Sequence, residues 1–128
     1  DIVVLRFGEN IKSGKYDLTK LNQSYDYFVK NYLVSSKAYL IFTTCFWENG
    51  FVDEMIRKYC GIFGGELIEL GDLGEDDSMK AIGKFEHSGV QNHPGDLGMK
   101  NIADRIYGVM KKIFLATAKG EDKCILLR

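Results

Sequence analysis

The sequence predicts an α/β fold in which helices cover the faces of a parallel sheet. Short apolar runs recur at residues 2–7, 38–43 and 66–70, each of the length expected for a buried strand. Between and after them, apolar residues fall at spacings of three and four, the period of amphipathic helices. The order is strand, helix, strand, helix, strand, loop, helix, and such alternation argues for parallel pairing. In open sheets of this class, ligands bind at the carboxyl ends of the strands.

Each element has a local cause. Residues 2–7 form an apolar, β-branched run closed by the turn Gly8-Glu9-Asn10. Asp17 is placed to cap a helix that carries Leu18, Leu21, Tyr25, Phe28, Val29 and Tyr32 on one face. Residues 38–43 make the second strand, and residues 44–50 the loop at its carboxyl end. A helix with Val52, Met55, Ile56, Tyr59 and Phe63 on one side follows, stopped by Gly64-Gly65, where a left-handed cap is expected. Residues 66–70 are the third strand.

Residues 71–92 are polar and lack periodicity, apart from a possible helical turn at 79–85. A connection of that length in a compact domain is usually functional or disordered. It leads to His93 and Pro94, the only proline. The last helix has Asp96 as candidate cap and Met99, Ile102, Ala103, Ile106, Met110, Ile113 and Phe114 on its stripe. Pro94 suits a first-turn position and pushes His93 into an extended loop conformation.

Composition narrows the function. The chain has 128 residues, enough for one domain, with 17 Lys and Arg against 18 Asp and Glu. No basic footprint for nucleic acid and no polybasic membrane surface is present. No apolar run is long enough to span a bilayer, and no signal- or transit-peptide pattern occurs, which leaves the compartment open. Cys45, Cys60 and Cys124 form no C-x-x-C pair, and Cys45 and Cys60 read as small buried hydrophobes. No metal site or cofactor motif is found. The acidic run Asp72, Glu75, Asp76 and Asp77 lacks the pattern of a calcium loop. The glycines at 61, 64 and 65 end a helix instead of opening one, so they make no phosphate cradle.

Asn10, Trp47 and His93 all fall at strand carboxyl ends. A histidine titrates near neutrality and serves as a general base. An asparagine amide donates to a developing oxyanion, worth about 3–4 kcal/mol. A cleft-rim tryptophan faces a sugar or an acyl group. Each also has a plainer reading: a loop histidine, a turn asparagine bonded to its own backbone, a core tryptophan. His87 ranks below His93 because no helix start is visible beside it.

Residues 6–10, Arg-Phe-Gly-Glu-Asn, and residues 89–99, Gly-Val-Gln-Asn-His-Pro-Gly-Asp-Leu-Gly-Met, together resemble two sequence blocks of the SGNH/GDSL hydrolase family. These are its Gly-x-Asn after the third strand and its His-Pro before the last helix. The resemblance spans nearly the whole chain. It implies a three-layer α/β/α flavodoxin-like fold, with residues 1–128 as the carboxyl-terminal portion of one domain, from the third strand to the last helix. It implies a serine esterase, with carbohydrate O-deacetylation a common task and an acylated small molecule or carbohydrate as substrate. His93 would be the base, Asn10 with Gly8 the oxyanion hole, and Trp47 a substrate-binding residue.

Two departures accompany it. The family's opening Gly-Asp-Ser is absent, and none of Ser13, Ser24, Ser35, Ser36, Ser78 or Ser88 stands in such a setting. The family's acid three residues before the histidine is Val90 here, which leaves a backbone carbonyl or an acid such as Glu86 to orient the imidazole. The opening run reads as a strand buried on both faces and edges, so the chain looks like a piece that begins inside a fold. The expected partner is a missing amino-terminal half, or another copy, pairing at the first strand. A non-catalytic module that binds a carbohydrate or a partner is the alternative.

Overall fold

The computed structural model describes residues 1–11, 17–33 and 37–119. Ser13, Ser35, Ser36 and Cys124 lie outside the described residues. Three parallel strands, β1 (Ile2–Leu5), β2 (Tyr39–Thr43) and β3 (Glu66–Ile68), stand in the order β1-β2-β3. Val3 pairs with Leu40 and Leu5 with Phe42; Phe42 pairs with Leu67 on the other side.

Alternation along the strands divides the core in two. Leu5, Leu40 and Phe42 face one way, against helix α1 (Leu18–Phe28), the π-helical turn Val29–Leu33 that continues it, and helix α2 (Gly50–Phe63). Ile41 and Ile68 face the other way, against Ile102 and the half-buried Ile106, Val109, Met110 and Ile113 of the last helix, α5 (Asp96–Ala118). Helices thus cover both faces, as expected for an α/β fold. Each large apolar side chain so buried contributes about 1.5–3 kcal/mol, and β2, with Leu40 to Thr43 all buried, is the centre of the molecule.

Asp17 caps α1 as its sequence context implies, its carboxylate accepting the amides of Thr19 and Lys20 at 3.0 and 3.2 Å. Gly64, with φ 69°, ends α2. The first strand departs from expectation. It stops at Leu5, and Val4, on the α5 side, is 39% exposed. β1 is an edge of the described sheet, so it is not buried on both faces and both edges. The third strand stops at Ile68 because the Leu70 amide turns to the Thr44 hydroxyl, at 2.8 Å.

The polar segment is built from short pieces: α3 (Gly71–Glu75), a 3-10 turn at Asp77–Met79, and α4 (Ser88–Gln91). A hydrogen-bonded turn spans 81–84, closed by the Lys84 amide donating to the Ala81 carbonyl; Lys80 pairs antiparallel with Pro94. That pairing moves the start of α5. Pro94 lies before the cap position, outside the first turn, and Gly95 is the cap residue. Asp96, read as a cap, instead stands in the first turn and pairs with Lys84. Met99, Ala103 and Phe114, assigned to the apolar stripe, are exposed.

Candidate active-site cleft

Three loops meet at one rim of the sheet, and a carboxylate ties the first two together. After β1, Gly8 takes φ +104°, a turn conformation that favours glycine, and its carbonyl accepts the Ile11 amide at 2.9 Å. Glu9 then reaches across to the loop after β2. Its carboxylate accepts the Phe46 amide at 3.0 and 3.1 Å, and the Arg6 guanidinium at 3.0 Å. Asp53, only 2% exposed, accepts the Cys45 amide at 2.8 Å and the Asn49 amide at 2.9 Å. Asn49 in turn donates its side-chain amide to the Ile11 carbonyl at 2.6 Å.

The third loop carries His93. Its amide donates to the Val90 carbonyl at 3.0 Å, and its carbonyl accepts the Ala81 amide at 2.9 Å. The Gly95 amide donates to the Met79 carbonyl at 2.8 Å. The backbone around His93 is thereby fixed on both sides while its ring remains exposed. The ring meets Trp47 edge-to-face, centroids 5.0 Å apart and planes at 89°. Trp47 rests in turn on Phe46, at 5.9 Å and 84°.

These loops enclose an open cleft of about 860 Å³. Asn10, Trp47 and His93 all line it, together with Glu48, Lys80 and His87. Gly8 is not among the lining residues; its positive φ is what calls for glycine there. Among the described residues, the Asn10 side chain has no hydrogen-bond partner, so it is not spent on its own backbone. No carboxylate bonds the His93 ring among those residues, and Glu86 does not line the cleft.

Among the described residues, neither a serine nor a cysteine lines the cleft. Burial, and after it the charge of Asp53, push the Cys45 thiol well above its ordinary range; burial and then Glu66 raise Cys60. Both shifts disfavour the thiolate, the nucleophilic form. Among the described residues, no group of three or more His, Cys, Asp or Glu side chains is placed to hold a metal ion, and no helix is long and apolar enough to cross a membrane.

Sequence reasoning passed over several of these groups. Glu9 looked like the spacer of a Gly-x-Asn turn. Asp53 lies outside the apolar stripe read for its helix. His87 does precede a helix, since it is the cap residue of α4, but that helix has four residues and no readable period. Compared with known proteins, the chain matches no family model, no curated protein and no solved structure.

Proposed function

We propose that this chain is the carboxyl-terminal part of an SGNH/GDSL-type serine esterase domain that removes acyl groups, acetyl above all, from carbohydrates. The observation that carries the reading is the meeting of Asn10 and His93, far apart in sequence, in one cleft beside the carboxyl ends of parallel strands. The architecture agrees with it. Three parallel strands in consecutive order, with two helices on one face and the last helix on the other, match the last three strands of the flavodoxin-like order 2-1-3-4-5.

The chemistry would run as follows. A serine from a segment outside the described residues attacks the ester carbonyl carbon, and His93 takes the hydroxyl proton as the new bond forms. His93 returns that proton to the leaving sugar alkoxide; it then takes a proton from water as the water attacks the acyl-enzyme, and gives it to the departing serine oxygen. Asn10 donates to the carbonyl oxygen as it becomes negative. The outer edge of β1 has no pairing strand among the described residues, so the nucleophile-bearing segment, or a second copy, pairs there.

A serine-directed phosphonate probe tests this in the protein that carries the preceding coding sequence. Covalent labelling of one serine, together with hydrolysis of a simple acetyl ester, is expected. A preceding sequence with no strand-Gly-Asp-Ser-helix segment would sink the reading. One observation favours a second reading, a non-catalytic carbohydrate- or partner-binding module: among the described residues, no serine lines the cleft. Saturable sugar binding without any serine labelling would select it.

A further inference from the structure

We infer that Trp47 is a positioning residue for His93, holding the imidazole edge-to-face where a carboxylate would otherwise orient it. The inference rests on the reading of His93 as general base, and it moves Trp47 from the substrate wall to the proton-transfer machinery. The geometry is the contact at 5.0 Å and 89°. Edge-to-face aromatic pairs at this separation are favourable beyond the area they bury, so the indole selects one orientation of the imidazole.

Trp47 is itself held. It packs on Phe46 and joins the core cluster beneath α5. A Cβ at Gly74 would collide with the Phe46 carbonyl and Trp47 backbone, which shows how closely α3 backs this loop. With the His93 backbone bonded at both its amide and its carbonyl, ring rotation is its main remaining freedom, and Trp47 limits it. Other charged or titratable groups share the cleft: Glu9, Glu48, Lys80 and His87. Glu9 is committed to Arg6 and the Phe46 amide, and Lys80 to Asp77. None of the four bonds the His93 ring among the described residues.

Trp47 is the only tryptophan, and imidazolium quenches indole emission, so fluorescence reports this contact without any assay of turnover. Emission should fall in a step as pH is lowered and the imidazole takes up a proton. The step should vanish in His93→Gln and survive in His87→Gln. Emission that stays flat with pH, or a step lost only in His87→Gln, overturns the inference. In protein active on an acetyl ester, Trp47→Leu should lower kcat on the order of tenfold with KM changed by less than about twofold, and Trp47→Phe should recover most of the loss. A defect confined to KM overturns the inference. Protein that keeps the fluorescence step but hydrolyses no ester overturns the esterase reading and leaves the Trp47–His93 coupling standing.

Discussion

Glu9 holds Phe46: one carboxylate on the loop after β1 accepts the backbone amide of the loop after β2, at 3.0 and 3.1 Å. The same group binds Arg6, and it lies beside Asn10 in the chain and in the cleft lining. Removing it leaves the Phe46 amide and the Arg6 guanidinium without this partner. Hydrogen bonds to a charged group are worth about 1.5–3 kcal/mol, so Glu9→Ala should lower unfolding stability in urea by about 2 kcal/mol. Glu9→Gln, which keeps an acceptor oxygen, should lose less than half of that.

Asp53 does for the loop after β2 what Glu9 does between loops. Its buried carboxylate takes two amides, those of Cys45 and Asn49. Asp53→Ala strands both donors, and stability should fall by about 2–4 kcal/mol. Urea melts check the size. A loss under about 0.5 kcal/mol, the level of an ordinary surface change, would mean the loop is held by other contacts.

Two glycines in α5 should respond in opposite directions. A Cβ at Gly98 would run into the Met79 carbonyl, the backbone that braces His93-Pro94-Gly95. Nothing lies within 4 Å of a Cβ at Gly108. Gly108→Ala should therefore raise stability, by up to about 1 kcal/mol from helix propensity alone. Gly98→Ala should lower it by about 1–3 kcal/mol despite the same propensity gain. Paired thermal melts decide the matter.

Acid should loosen the attachment of α2 and α5 to the end of β3. Hydrogen bonding from Arg57 holds the Glu69 carboxyl below its ordinary value, and hydrogen bonding from Arg105 does the same for Asp72. Folded values below the unfolded ones mean that this stability is full above the unfolded value. It is lost as pH falls from the unfolded value through the folded one. Glu69 and Asp72 side chains are 51% and 61% exposed, so solvent screening keeps each contribution under about 1 kcal/mol. The measurement is the urea midpoint at pH 6 and pH 3 for wild type and Asp72→Asn, and the variant should show the smaller drop.

The regular elements were legible because period and burial agree along them. Residues 52, 55, 56, 59 and 63 read as one face, and all five are buried in α2. The Asp17 cap was legible for the same local reason. What failed was non-local. The start of α5 could not be read from Asp96, because Lys80 pairing with Pro94 decides it. Nor could the segment after β3, whose short helices are held by Thr44 and by Arg105 on Asp72 and the Glu69 carbonyl. In the cleft, Asn10, Trp47 and His93 stood out as strand-end residues, whereas Glu9 and Asp53 did not. Their work is to accept amides from loops that a linear reading does not bring near.

We propose that His93 and Asn10 serve one acyl-transfer reaction. Its most direct test is kcat/KM for an acetyl ester, measured on protein carrying the preceding coding sequence, beside His93→Ala and Asn10→Ala. A fall of at least about 10³-fold is expected for His93→Ala and of about 10²–10³-fold for Asn10→Ala, with both variants folded by circular dichroism. Hydrolysis that survives His93→Ala, or wild-type protein that turns over no ester, would contradict it.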